Sequence, residues 1–355
     1  MGGEMLLHNK RVLFILISLL IVLPLFGCFQ NSTNSGESES IEGQVPNEDT
    51  VSSPNEEETQ IDLAEIKANE AGQIMILEWH VIGEKEGRWS RTYENFRRDL
   101  ETLYAKGYRL VSLRDVVTNN IAVEAGYTPV VLTFDDGTEG HFRYIEKDGE
   151  RIIDPNCAVG ILKSFAEEHP DFGLEATFYI NYYTPFGQKD SWQDKIKEII
   201  DLGMDLGNHT VNHKKLNQLS QGEVAMEIGK MVQMVEEIVP GYKLDTLALP
   251  HGINPKDVSW AVNGEYEGIS YHNKAILLVG AGPIKSPVVK GFNAAKLPRI
   301  QVFQEEFDKW LTYFDNNPDK RYISDGNPGT IAVPAEHAHL IDESKIGDKE
   351  LIIYE

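Results

Sequence analysis

Two stretches of this chain carry side chains whose types and spacing suit chemistry at a shared ion. The first is Asp135-Asp136-Gly137, which closes the apolar run Val130-Val131-Leu132-Thr133-Phe134. Two adjacent carboxylates at the end of an apolar strand are costly unless something uses them. A cation could hold one of them and leave the other free as a base. The plain alternative is a polar Asp-Gly turn. The second stretch is Gly207-Asn208-His209-Thr210-Val211-Asn212-His213. Histidines at i and i+4 can face one metal from a single helical turn. Taken alone, such a pair is more commonly two solvated histidines.

These residues need elements to bring them together, and the chain from about residue 70 alternates strands with helices. Ile74-Met75-Ile76-Leu77 reads as a buried strand. Thr92 is placed to cap a helix carrying Phe96, Leu100, Leu103 and Tyr104. Lys106-Gly107 ends it ahead of a strand over residues 109–113. Further strands are expected over 129–134, 176–181, 245–249, 275–279 and 297–302. Lys147-Asp148-Gly149 marks a hairpin insertion. Helices are expected over 159–168, along Trp192, Ile196, Ile199 and Ile200, and after the capping box Ser220/Glu223. This alternation argues for a parallel sheet, open or closed into a barrel. Functional residues then belong at the carboxyl ends of strands, where both stretches fall.

Together the two stretches carry a resemblance. Thr133-Phe134-Asp135-Asp136-Gly137 followed by His209-Thr210-x-x-His213 resembles the polysaccharide deacetylases, carbohydrate esterase family 4. Ala176-Thr177-Phe178-Tyr179 and Leu249-Pro250-His251-Gly252 add to it, over roughly Ile74 to Val302. The resemblance implies a distorted (β/α) barrel and metal-dependent removal of N-acetyl or O-acetyl groups from a glycan. Carried over, Asp136, His209 and His213 would bind one divalent ion, zinc or another borderline metal, and Asp135 would be the general base. Two imidazoles and one carboxylate leave positions open for water and the acetyl oxygen. Pro250, His251 and Gly252 would line the substrate, with the His251 backbone N–H a candidate oxyanion donor.

The chain departs from the family in three places. Ala248 stands where the family often has an Arg that orients the base; Arg299, in Leu297-Pro298-Arg299-Ile300, is the candidate substitute, with a surface ion pair as the alternative. His251 replaces a usual Tyr or Phe. The family's late Leu-x-x-His, source of the general acid, is missing downstream. Leu77-Glu78-Trp79-His80 fits it upstream, which makes His80 the candidate acid and the motif order circularly permuted, similar to that of poly-N-acetylglucosamine deacetylases. A core histidine is the alternative for His80.

The N-terminus reads as targeting. Lys10 and Arg11 precede the apolar run 12–26, which is short for a membrane span and ends in Leu25-Phe26-Gly27-Cys28. That ending resembles a bacterial lipobox, so residues 1–28 are expected to be a lipoprotein signal peptide with lipidation at Cys28. An uncleaved signal anchor is the alternative. Residues 29–69 read as a disordered acidic tether, with ten acidic residues and no Lys or Arg between Phe29 and Ile66. Residues 70–303 would be the catalytic domain and 304–355 a small C-terminal appendage on the barrel. The expected location is the outer face of the bacterial cell membrane.

Composition excludes other classes. Lys plus Arg is 33 against 56 Asp plus Glu, a formal charge of −23, so a nucleic-acid partner is not expected. Two cysteines, Cys28 and Cys157, exclude a disulfide framework and a thiolate zinc site; Cys157 reads as a core residue. His141 is a candidate for the cleft, and His337 and His339 read as surface residues. Besides N-deacetylation, two functions remain open: an O-acetyl esterase on xylan or a similar glycan, and a carbohydrate-binding lipoprotein without catalysis.

Overall fold

The computed structural model of the chain describes residues 61–181 and 184–355. The segment ending at Cys28 and the acidic stretch through residue 60 lie outside the described residues. Seven parallel strands form a closed ring: β1 (Gln73–Trp79), β2 (Thr128–Phe134), β3 (Thr177–Ile180), β4 (Asp205–Asn208), β5 (Thr246–Ala248), β6 (Ala275–Ala281) and β7 (Leu297–Gln301). Each pairs with the next, and β1 closes the ring by pairing with both β2 (Met75 opposite Val130) and β7 (Leu77 opposite Ile300). The parallel sheet read from the alternation is therefore closed, into the (β/α) barrel that the resemblance implies.

Period-2 alternation sorts each strand between two environments. Met75, Leu77, Trp79, Val130, Leu132, Phe134, Phe178, Ile180 and Ile300 share one core with the surrounding helices. Those helices are α1 (Tyr93–Ala105), α2 (Ala158–Glu168), α3 (Trp192–Asp201), α4 (Gln221–Ile238) and α5 (Gln304–Asn316). The opposite parity, Ile74, Ile76, Val131, Tyr179, Ala248, Leu277 and Leu297, fills the barrel interior. That parity also carries Glu78, Thr133 and Arg299, so polar side chains enter the same lumen near its carboxyl end. The fit there is tight: a Cβ on Gly207 would meet the Tyr179 ring at 2.2 Å.

Several expectations need correction. The tether does not run to residue 69: Asp62 caps the one-turn helix Leu63–Ile66, and the Asn69 N–H donates to Ile323 O at 2.8 Å. The strand expected over 109–113 is Tyr108–Leu110, which pairs on β2 outside the ring, and a helix follows at Leu113–Val117 because Ser112 caps it. The insertion is a hairpin, Tyr144–Lys147 with Glu150–Ile153, turned by Asp148 (φ 53°) and Gly149 (φ 83°). Beyond residue 303, α5 adds Phe307, Leu311 and Phe314 to the main core, and Thr330–Pro334 pairs with Glu350–Tyr354. Cys157 is buried and its Sγ accepts from the Gly160 N–H at the start of α2.

Candidate active site

All seven strands run in one direction, so their carboxyl ends share a rim. His80 follows β1, Asp135 and Asp136 follow β2, His209 and His213 follow β4, and the Pro250 turn follows β5. They meet in a cleft of about 340 Å³ lined by His80, Trp89, Asp135, Asp136, His209, His213, His251 and Val279.

The two histidines do not come from a helical turn. Thr210 (φ 62°) and His213 (φ 51°) adopt left-handed backbone, so residues 209–213 loop back on themselves. The loop brings His209 Nε2 and His213 Nε2 to 3.5 and 3.6 Å from Asp136 Oδ1. His209 Nδ1 lies 2.8 Å from Ala248 O. A carbonyl only accepts, so Nδ1 carries the proton and the Nε2 lone pair faces Asp136. Asn181 Nδ2 donates to Asp136 Oδ1 at 2.9 Å and fixes that carboxylate. Two ligand atoms each about 2.1 Å from a tetrahedral cation lie roughly 3.4 Å apart, close to these separations. The trio therefore fits one divalent ion.

Asp135 sits beside the trio but is committed elsewhere. Arg299 is fully buried, not a surface residue, and forks onto it: Nη1 donates to Oδ1 at 2.7 Å and Nη2 to Oδ2 at 2.6 Å. Arg299 is itself held by Leu278 O at 2.8 Å and Thr133 Oγ1 at 3.2 Å. Burial pushes the Asp135 carboxyl up, but the charges of Arg299 and His209 outweigh it and hold the group well below the usual carboxylate range. Asp135 stays ionised, with its Oδ2 3.9 Å from His209 Nε2.

His80 lines the cleft on the other flank of Asp135, so it is not a core histidine turned away from the site. Glu78, on the same lumen parity of β1, was not picked out from sequence. Among the described residues its Oε1 accepts no hydrogen bond, and it lies 3.4 Å from Arg299 Nη2 and 3.6 Å from His80 Nε2. Burial drives its carboxyl up to about 7 despite the pull of Arg299. Glu78, His80 and Asp135 also cluster closely enough to be metal ligands. The Arg299 guanidinium already supplies the positive charge there, so the ion belongs with Asp136, His209 and His213. A carboxylate inside an otherwise apolar strand was the available signal for Glu78.

His251 is exposed at φ 58°, its ring 4.6 Å from that of His213. Pro250 is buried and has no N–H, and the Gly252 N–H is used by Leu249 O at 2.8 Å. Of that turn, the side chain that lines the cleft is His251. His141 is not in the cleft: it is fully buried between Phe134 and Phe178, and burial pushes its pKa down to about 4. His337 and His339 lie away from the site, with His337 Nδ1 3.0 Å from Asn69 Oδ1.

The family model described as polysaccharide deacetylase matches residues 122–264, which include Asp135, Asp136, His209, His213 and His251. The chain contains a polysaccharide deacetylase domain. The strands bearing His80 and Arg299 lie outside the matched segment and join this deacetylase domain by closing its barrel. Among curated proteins, a chitin deacetylase of Arthroderma benhamiae is 28% identical over 123 residues, 34% of this chain. That match spans 27% of the chitin deacetylase's length. Among solved structures, the Streptococcus pyogenes deacetylase PplD in complex with acetate aligns with 68% of this chain and 97% of its own, at 20% identity and a TM-score of 0.51. IcaB from Ammonifex degensii aligns with 69% of this chain and 98% of its own, at 16% identity and a TM-score of 0.48.

Proposed function

We propose that this protein is a metal-dependent hydrolase that removes N-acetyl groups from a cell-envelope or extracellular glycan. The observation that carries the reading is the buried, Arg299-forked Asp135 set between the Asp136/His209/His213 trio and His80. The trio would hold the ion, which when bound supplies a Lewis acid for the acetyl carbonyl and lowers the pKa of water. Asp135 accepts the proton of the water that adds to the acetyl carbon. Arg299 keeps Asp135 ionised and aims both its oxygens. The His251 N–H is a donor for the carbonyl oxygen as it gains charge. His80 protonates the leaving nitrogen as the carbon–nitrogen bond breaks, releasing acetate and a free amine. Burial pushes the His80 pKa down, and the negative charge of Asp135 opposes that by favouring the protonated imidazole.

The test is acetate release from peptidoglycan, chitin oligomers, poly-N-acetylglucosamine and acetylxylan, with and without chelator. Chelator-sensitive release from an N-acetylated glycan is expected. Release from acetylxylan alone would replace the reading with an ester hydrolase. Stoichiometric metal with no acetate from any glycan would replace it with a binding protein.

We also place the protein at the outer face of the cell membrane, held by a lipid on Cys28. The support is the basic residues, the short apolar run and the Leu-Phe-Gly-Cys ending. Cys28→Ser should release the protein or leave it unprocessed; unchanged mass and unchanged membrane retention would refute the anchor.

A further inference from the structure

The flap between β1 and α1 leaves a large indole uncovered. Trp89 is 47% exposed, yet it lines the cleft and its ring lies 4.6 Å from that of His80, inclined by 71°. The flap is firmly tied. Val81–Gly83 pairs with Ser90–Thr92, and the Val81 N–H donates to Trp89 O at 3.1 Å. Gln301 Nε2 donates to Arg88 O at 2.8 Å. Buried Arg91 forks onto Asp99 at 2.8 and 2.5 Å and reaches Glu86 at 2.6 Å and Gln304 at 3.0 Å. Glu86 in turn accepts from the Thr92 N–H and Asn95 Nδ2. A loop anchored at this many points has no need of an exposed indole for its own packing, and exposed apolar surface at a concave site marks a place that a ligand covers.

The position of Trp89 identifies what would cover it. Asp135 lies between the trio and His80, Trp89 adjoins His80, and His251 adjoins His213. In the proposed hydrolysis the acetyl carbonyl faces the trio, and the departing nitrogen faces His80. The group bonded to that nitrogen is a sugar ring, which must then lie on the Trp89 flank. A pyranose presents a face of C–H groups that packs on an aromatic ring, while its hydroxyls stay hydrated. The Arg88 guanidinium, 5.8 Å from the centroids of both Trp89 and Phe303, stands at the outer edge of that platform.

We propose that Trp89 is the stacking platform for the 2-acetamido pyranose that loses its acetyl group. The substrate class it selects is an acetamido sugar in a glycan chain, over a small acetyl compound that carries no ring to stack. This rests on the deacetylase reading, so the experiment measures binding apart from turnover. Binding of a chitin oligomer is titrated with metal-loaded full-length wild type, Trp89→Ala and Trp89→Phe. Acetate release is measured from the oligomer and from N-methylacetamide, a ring-free amide whose leaving nitrogen needs the same proton. Trp89→Ala should weaken oligomer binding about tenfold or more, the scale of truncating an aromatic anchor. Its kcat/KM should fall at least tenfold further for the oligomer than for N-methylacetamide. Trp89→Phe should recover most of the loss, and metal content should stay stoichiometric.

Equal losses on both substrates would overturn the proposal, since Trp89 would then act only through His80. Wild-type oligomer binding and turnover in Trp89→Ala would also overturn it. The same result combined with weaker sedimentation on phosphatidylglycerol vesicles would reassign the indole to membrane contact. Trp89-dependent binding without acetate release from any glycan would refute the deacetylase reading and leave the platform standing.

Discussion

Arg299 Nη1 and Nη2 reach Asp135 Oδ1 and Oδ2 at 2.7 and 2.6 Å, across a lumen where neither residue has exposed surface. The fork fixes the carboxylate's plane, which a single ammonium cannot do. Removing one partner of a buried pair leaves the other charge uncompensated, at a cost of about 3–5 kcal/mol. Arg299→Ala should lose stability on that scale and most of its turnover. Arg299→Lys should fold better, because it keeps a cation, yet still lose roughly tenfold or more in kcat through the lost fork. Urea midpoints and kcat for the two variants check this. Wild-type kcat in Arg299→Lys would mean the fork does not aim the base.

The two adjacent carboxylates should separate cleanly by metal content. Asp136 Oδ1 lies within 3.6 Å of both trio imidazoles, whereas both Asp135 oxygens are taken up by Arg299. Asp135→Asn should therefore abolish measurable turnover and keep the ion. His209→Ala should cost most of the metal affinity. Metal analysis after dialysis decides it: an Asp135→Asn protein that loses its ion while Asp136→Asn keeps it would reverse the two assignments.

How far the site was legible depended on chain distance and backbone. Asp135-Asp136 and His209/His213 are visible because each pair is local in sequence. Arg299 was found only because Ala248 left a gap where an arginine was expected. Glu78 was overlooked because its partner Arg299 is 221 positions away, and only ring closure by β1 brings them within 3.4 Å. The helical reading of 209–213 failed because left-handed Thr210 and His213 have no signature in residue type. The ordered chain begins earlier than composition suggests, because the Asp62 cap of Leu63–Ile66 sits within the acidic run. Strand order in the barrel was legible as alternation, but whether the ring closed was not, since closure depends on the register of β1 against β7.

His80 should matter in proportion to how badly the leaving group needs a proton. An amide nitrogen cannot depart as an anion, while a nitrophenolate can. His80→Ala should lose about two to four orders of magnitude in kcat on an acetamido sugar, the usual scale of a positioned acid. It should lose far less on 4-nitrophenyl acetate and keep its metal. Equal losses on the two substrates would remove the acid role.

Away from the cleft, a buried carboxyl sits where the C-terminal strands meet β1. Glu70 is only 3% exposed; its Oε1 accepts from Tyr322 Oη at 3.0 Å and its Oε2 from the Ala332 N–H at 3.2 Å. Burial, and then the charge of Asp325, raises its carboxyl from 4.5 to about 8. The folded state thus holds a proton that the unfolded chain releases near 4.5. For a raised pKa the stabilising contribution is complete below about pH 4.5 and is lost as pH rises through about 8. Glu70→Gln keeps the shape and an acceptor oxygen but cannot ionise. Each tenfold change in a protonation equilibrium is worth ~1.4 kcal/mol, and relaxation around the charge reduces the sum to an expected gain of roughly 1–3 kcal/mol for Glu70→Gln over wild type at pH 9. At pH 4.5 the variant should be level with wild type or slightly weaker, because a buried amide replaces a carboxylic acid. Urea denaturation of both proteins at the two pH values measures the difference. A stability gap that does not change with pH would mean Glu70 folds in its charged form, neutralised by groups such as Lys349 that approach it across the same joint.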